Sequence, residues 1–284
     1  MKILVTGVNG QLGYDVCRIL SDRNIEHRGV DVADFDLTDP SAVQSYLEAY
    51  RPDAVIHCAA YTAVDKGEDD PAQMLAVNAT GTKALAEASA TLGAKLLFVS
   101  TDYVFGGDGS HSYKPEDPTE PLSVYGRSKV LGEDAVRAAL DAHFIVRTSW
   151  VFGINGNNFV KAMLRLADTR DELSVVCDQI GSPTYSYDLA RLLCDMIESN
   201  RFGTYHATNE GFCSWAEFAA EIMRQSGKTT AIRPIPAAEY PSRAKRPYNS
   251  RLCKDKLSEN GFLRLPNWKD ALARFLKELA ANSR

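Results

Sequence analysis

The sequence predicts an α/β protein built on a doubly wound parallel sheet of Rossmann type, with a smaller C-terminal substrate-binding lobe. Three observations carry that prediction. Short β-branched runs alternate with helical patterns through the first half of the chain, as βαβ units around a parallel sheet do. Several of those runs are apolar at consecutive positions, as strands covered on both faces must be. A glycine-rich turn, Thr6-Gly7-Val8-Asn9-Gly10-Gln11-Leu12-Gly13, follows the first run at once and opens the first helical pattern.

The expected strands are Lys2–Thr6, Ile25–Asp31, Ala54–Cys58, Leu96–Ser100 and Phe144–Thr148. Between them Leu12, Val16, Ile19 and Leu20 fall at helical spacing, and Met74, Val77, Leu85 and Leu92 do so more loosely. After Trp150-Val151-Phe152-Gly153 the alternation becomes irregular and proline and aromatic residues accumulate. We therefore place a cofactor-binding domain over 1–153 and a smaller lobe over 154–284, some of whose segments return to the first domain. Helices are expected there at Asn158–Ala167, Ser186–Glu198, Ser214–Gln225 and Trp268–Ala281, with one strand at Leu173–Cys177.

Composition narrows the function. The 284 residues are 45% hydrophobic and 24% charged, the balance of a globular chain with a substantial core, which excludes disorder and coiled coil. The net charge is −5 and no Lys/Arg run is present, so neither nucleic acid nor a membrane surface is an expected partner. No apolar run approaches the ~18 residues a membrane helix needs. The six cysteines are scattered without CxxC spacing and read as reduced, buried thiols. The chain starts on a strand with no tripartite leader, and a cytoplasmic location is expected.

The glycines divide the work of binding a dinucleotide. Gly7 permits the tight turn, Gly10 lets a pyrophosphate approach the backbone, and Gly13 lets the helix pack on its strand, with Gln11 and Leu12 completing the cofactor turn. Asp31, 18 residues past Gly13, ends the second strand, where an acid accepts hydrogen bonds from the adenosine ribose. That favours NADH over NADPH, although Arg28 nearby is suited to a 2′-phosphate. Asp36 and Leu37 stand where the adenine amine is met, a turn or capping role being an equally good reading of Asp36.

Tyr125-Gly126-Arg127-Ser128-Lys129 places a phenol and an ammonium one helical turn apart on one face. The cation is expected to favour phenolate and bring the tyrosine towards the working range of an acid or base. Ser100-Thr101-Asp102-Tyr103 ends a strand, on the edge where open α/β sheets bind ligands. Alternation sends Ser100 and Thr101 to opposite faces, and Thr101 is chosen to meet Tyr125 and a substrate carbonyl.

Together these motifs resemble the extended short-chain dehydrogenase/reductase family, which combines TGxxGxxG, a strand-end Ser/Thr and YxxxK. The chain is similar, more narrowly, to the dTDP-4-dehydrorhamnose reductases, through Ala59-Ala60-Tyr61-Thr62-Ala63-Val64-Asp65-Lys66, Arg147-Thr148-Ser149-Trp150, Asp178-Gln179-Ile180-Gly181-Ser182-Pro183-Thr184 and Arg246-Pro247-Tyr248-Asn249-Ser250. The resemblance implies hydride transfer from NADPH or NADH to C4 of a dTDP-4-keto-6-deoxyhexose, with Thr101, Tyr125 and Lys129 catalytic. It implies that Ala59, Ala60 and Thr62 line the cofactor, that Asp102 and Trp150 touch the sugar, and that Asn158 and Arg246 meet the nucleotide end, making residues 154–284 mainly a sugar-nucleotide lobe.

Tyr61 departs from the histidine the family often has in this loop. Some members are magnesium-dependent dimers held through carboxylates, and Asp15 is a counterpart in position. A lone acid on the first helix is more often solvated, so no metal is assigned and a homodimer is left open. The five histidines show no ligand spacing, and His57, between Ile56 and Cys58, reads as a satisfied core residue. Trp215 and Trp268 read as helix-face packing groups and Asn78 as a structural residue at a helix kink. Two other functions share the scaffold: a nucleotide-sugar epimerase that retains its cofactor, and a non-catalytic NADP-binding regulatory subunit resembling that of methionine adenosyltransferase. A dehydratase is disfavoured, because Thr101-Asp102-Tyr103 lacks the glutamate such enzymes place there.

Overall fold

A computed structural model describes residues 1–282. In chain order, β1 (Ile3–Thr6), α1 (Gln11–Asp22), β2 (His27–Val30), α2 (Pro40–Tyr50) and β3 (Ala54–His57) come first. Helices α3 (Val64–Asp69) and α4 (Pro71–Leu75) follow, the latter running through a π-helical turn (Ala76–Gly81) into α5 (Thr82–Leu92). Then come β4 (Lys95–Thr101), α6 (Val124–Ala139), β5 (His143–Thr148), β6 (Val151–Phe152), α7 (Phe159–Ala167), β7 (Glu172–Val176), β8 (Ile180–Gly181) and β9 (Thr184–Tyr185). The chain closes with α8 (Ser186–Glu198), β10 (Gly203–His206), β11 (Cys213–Ser214), α9 (Trp215–Ser226), β12 (Ala231–Ile235), α10 (Asp255–Glu259) and α11 (Trp268–Asn282).

Six parallel strands form the central sheet in the order β10-β5-β4-β3-β1-β2. Because β1 has β2 on one side and β3 on the other, the winding reverses at β1 and a crevice opens beyond the carboxyl ends of β1 and β3. Alternation along the strands separates two layers of core. Ile3 and Val5 pack with Val16, Ile19 and Leu20 of α1 and with Leu189, Leu193 and Ile197 of α8. Leu4, Val55, Leu96 and Phe98 face the other way, onto Val43 and Leu47 of α2, Leu85 of α5 and Val136 of α6.

A separate apolar core joins α7, β7, α9 and α11 through Val160, Leu173, Phe218, Ile222, Trp268, Leu272 and Phe275. Two segments encoded in the second half lie with the first: β10 pairs with β5, and α8 packs on α1. The five expected strands form with ends shifted by up to two residues, β10 being the sheet's unforeseen sixth. The cysteines are free thiols, Cys194 and Cys213 buried and the other four only partly so.

A buried ion pair fixes α6 against the sheet. Glu133 accepts from Arg147 Nε at 2.8 Å, Arg147 Nη2 at 2.7 Å, Arg137 at 2.7 Å and the Ser100 hydroxyl at 2.7 Å. Burial alone would raise the Glu133 carboxyl, but the Arg147 guanidinium and its companions hold it below the usual range. Removing one partner of such a pair strands the other charge out of water, so Glu133→Ala is expected to destabilise the chain by about 3–5 kcal/mol in urea unfolding. A loss under about 1 kcal/mol would show the pair to be replaceable by solvent.

Candidate active site

The glycine turn is shaped by close approach. Gly7 adopts φ +74°, and a Cβ on it would lie 2.7 Å from Ala59 Cα, while a Cβ on Gly13 would lie 2.3 Å from the Gly7 carbonyl oxygen. The Gly10 N–H donates to the Gly7 carbonyl at 3.0 Å, and Gly10 begins α1 with no side-chain cap. The first amides of this twelve-residue helix are therefore open to an anion, with the helix dipole favouring negative charge there. Leu12 sits between core and cleft. Gln11 reaches the end of the first domain and the start of the second lobe: its Nε2 donates to the Val151 carbonyl at 3.5 Å and its Oε1 accepts from Asn158 at 3.0 Å.

Two cavities that share Gly7 and Ala60 form one groove along the crevice. The first, about 380 Å³, is lined by Asp31, Val32, Phe35, Asp36, Leu37 and Ala59 among others. Asp31 lies just past the end of β2, and its carboxylate accepts from the Asn9 and Val32 N–H groups, both at 2.9 Å. Asp36 accepts from the Thr38 N–H and hydroxyl, which hold its carboxyl below the usual range. Among the described residues no lysine or arginine lines this end. Arg28, weighed above as a phosphate partner, instead lies over the Tyr50 ring at 4.5 Å from its centroid.

The second cavity, about 560 Å³, is lined by Thr62, Thr101, Asp102, Tyr125, Lys129, Trp150 and Trp215 among others. Thr101 ends β4 with its hydroxyl donating to Asp102 at 3.0 Å, and it lines the cleft together with Tyr125, whose phenol it pulls down. Ser100 turns the other way, to Glu133. Lys129 is one turn from Tyr125 on α6, buried, its ammonium 4.0 Å from the centroid of Phe98.

The electrostatics differ from the sequence expectation. Burial, with the nearby Asp102 charge, pushes Tyr125 up to about 12, against the opposing pull of Thr101. Lys129 does not lower it. Burial takes Lys129 itself down to about 7, against the raising influence of Glu133 and Cys58. Asp102 is raised by burial to about 6, against the lowering influence of Ser250 and Thr101. Asp102 Oδ2 and Thr148 Oγ1 are buried in the cleft wall without a hydrogen-bond partner among the described residues.

Other expected residues are used differently. Asn158 caps α7 by accepting from the Lys161 N–H at 3.0 Å and donates to Gln11 and to the Gly153 carbonyl, so its amide is spent on the fold, and Asn157 is the neighbour that lines the cleft. Arg246 lines neither part of the groove: its guanidinium holds Asp65 at 2.7 Å and 3.2 Å. Asp15, expected as a solvated acid, is buried between α1 and α8, bonded by Ser186 at 2.5 Å and raised by burial to about 6. Trp215 is not merely a packing group, because it stacks on Trp150 at 3.7 Å and shares the cleft wall with it. Trp150 holds a φ of +49°, a left-handed backbone rare for a bulky residue.

The family model described as the RmlD substrate binding domain matches residues 1–281. The dTDP-4-dehydrorhamnose reductase of Sinorhizobium fredii is 44% identical, over 97% of each chain. Among solved structures, a dTDP-4-dehydrorhamnose reductase of Clostridium acetobutylicum superposes with a TM-score of 0.97 at 42% identity, covering 99% of this chain and 100% of the other. The enzyme of that name from Bacillus anthracis, in complex with NADP, gives 0.95 at 42% identity over 98% and 100%. The chain belongs to the dTDP-4-dehydrorhamnose reductase family.

In this member of the reductase family the cleft stores an electrostatic cost. Asp102 keeps its proton in the folded state to a higher pH than in the unfolded chain, so what it adds to stability as a neutral acid is lost as pH rises through about 6. Asp102→Asn is therefore expected to gain stability over the parent between about pH 4 and 6, levelling at roughly 3 kcal/mol above that range. Urea melts of both proteins across pH 4–8 read the difference, and a difference that is flat with pH contradicts it.

Proposed function

We propose that the chain is an NAD(P)H-dependent dTDP-4-dehydrorhamnose reductase, which reduces the C4 ketone of dTDP-6-deoxy-L-lyxo-4-hexulose to dTDP-L-rhamnose. The observation that carries the proposal is that Thr101, Tyr125 and Lys129 line the same cleft as the uncapped start of α1. The groove fits a dinucleotide: at Gly7 and Gly13 a Cβ would collide with the protein's own backbone, so only glycine allows so tight a turn, and the first amides of α1, uncapped by any side chain, suit a pyrophosphate. The bound nicotinamide supplies the hydride.

Every remaining task falls to this chain. Tyr125, raised to about 12, stays protonated at neutral pH, the state required of a group that delivers a proton to the developing alkoxide. Thr101 positions the ketone oxygen beside that phenol. Lys129, near 7, gains protonation when negative charge enters the cleft, and its ammonium then binds the ribose and steadies Tyr125. Asp102 Oδ2, buried without a partner, accepts a sugar hydroxyl, and Trp150 with Trp215 forms an aromatic wall against the sugar face. The substrate loosens Arg246 from Asp65 where its diphosphate needs a bidentate cation.

Purified protein with the 4-keto sugar nucleotide is expected to consume one reduced cofactor per product, followed by absorbance. Tyr125→Phe is expected to lower kcat by roughly 10²–10⁴-fold while leaving cofactor binding intact. Retained cofactor that is never consumed would instead identify an epimerase, and activity undiminished in Tyr125→Phe would remove the proton-donor role.

The acidic adenosine end adds a preference. With Asp31 and Asp36 on its wall and no lysine or arginine among the described residues there, a 2′-phosphate meets negative charge, so kcat/KM is expected to favour NADH by roughly tenfold or more over NADPH. Equal or inverted ratios refute this.

A further inference from the structure

We infer that His57 is a positioning residue that links the cofactor-side loop to the helix carrying Tyr125 and Lys129 through a directed run of hydrogen bonds beneath the cleft. The inference rests on the reductase reading for its kinetic arm. His57 ends β3 and is 1% exposed, with Nδ1 2.7 Å from the Thr6 hydroxyl and Nε2 3.1 Å from the Thr82 hydroxyl.

The partners decide where the protons lie. Thr82 gives its hydroxyl proton to the Asn78 carbonyl at 2.8 Å, so towards His57 it can only accept, and Nε2 carries the hydrogen. Nδ1 is then bare and accepts from Thr6, whose oxygen is free to accept from the Ala59 N–H at 3.2 Å. Burial takes His57 down to about 3, with the Lys129 charge adding to the effect, so this neutral arrangement holds at every working pH.

Both ends of the run reach the site. On one side Thr6 pins Ala59, and both line the adenosine end of the groove. On the other, Thr82 fixes the carbonyl of Asn78 inside the π-helical turn. The Asn78 side chain binds the Tyr61 backbone at 2.8 Å and 3.0 Å and donates to Ser128 at 3.0 Å, and Ser128 donates to the Tyr125 carbonyl at 2.7 Å. The His57 ring also stacks on Phe98, the ring over which the Lys129 ammonium lies. A single imidazole offers an acceptor and a donor on opposite edges. No amide side chain spans both.

That difference supplies the test. In His57→Asn the carbonyl stands where Nδ1 did and keeps Thr6, whereas in His57→Gln the longer amide reaches the Nε2 position and keeps Thr82. NADH binding is measured without sugar by quenching of tryptophan fluorescence, and kcat at saturating cofactor. His57→Gln is expected to raise the NADH Kd roughly tenfold, with a smaller change in kcat; His57→Asn is expected to lower kcat roughly tenfold with Kd within about twofold. If neither variant folds, Thr6→Val is expected to weaken NADH binding as Gln does and Thr82→Val to lower kcat as Asn does. Variants that lose only melting temperature, or that move Kd and kcat together in both cases, overturn the inference. A parent that binds NADH but reduces no 4-keto sugar removes the reductase reading, while the binding arm still decides whether His57 supports the cofactor loop.

Discussion

The buried pairing of Glu133 with Arg147 is the constraint on which the rest of the site depends. Tyr125 and Thr101 lie on different elements, and their contact requires α6 to sit at one height over the ends of β4 and β5. Glu133 sets that height. It stands two turns beyond Tyr125 and takes hydrogen bonds from Ser100 on β4 and Arg147 on β5, so one carboxylate ties the helix to both strands. An apolar contact of similar area would hold the helix as tightly but would tolerate sliding, whereas four donors converging on two oxygens fix register. Ser100 and Thr101 thus divide strand-end work: one is consumed by the scaffold so that the other can be presented to the cleft.

Once held there, the reactive groups carry the cost of their position. Tyr125, Lys129 and Asp102 are all shifted towards their neutral forms, and burial is the largest cause each time. A site of this kind favours the neutral phenol. The partnerless Asp102 Oδ2 and Thr148 Oγ1, and the left-handed backbone at Trp150, belong to the same economy. Each is a small local instability that the surrounding apolar packing supports.

Much of this was legible in the sequence because it is local. The glycine turn, the Tyr125–Lys129 spacing and the opposite facing of Ser100 and Thr101 depend on residues a few positions apart, whose geometry is fixed by turn and helix periods. The helix Ser186–Glu198 was expected at its observed bounds for the same reason. What escaped is long-range. Strand β10 reads Gly-Thr-Tyr-His and has no apolar run, being a strand only because β5 offers it an edge. Trp215 looked like a helix-face residue because the stacking that brings it to the cleft joins positions 65 apart. Asn158 and Arg246 matched family positions, yet the first is used as a helix cap and the second is held by Asp65, which no local pattern discloses. The Tyr125 pKa went the other way because spacing shows where a lysine is and says nothing about the burial that raises the phenol and takes that lysine itself towards its neutral form.

The contacts between the two cores show how binding at the turn is felt by the second lobe. The apolar junction of α1 with α8 belongs to the first core. What joins the second core to the cofactor turn is polar: Gln11 with Asn158 and Val151, and Asn155 with the carbonyls of Asn9 and Gly10 at 2.8 Å and 3.1 Å. Polar clasps of this size separate and re-form at far lower cost than apolar cores. They attach to the glycine turn itself, where Asn155 donates to the Asn9 and Gly10 carbonyls while the N–H groups of those residues are held by Asp31 and by the Gly7 carbonyl. Asn155 and Asn158 of the second half of the chain therefore brace the glycine turn by hydrogen bonds alone, through its carbonyls and the Gln11 side chain.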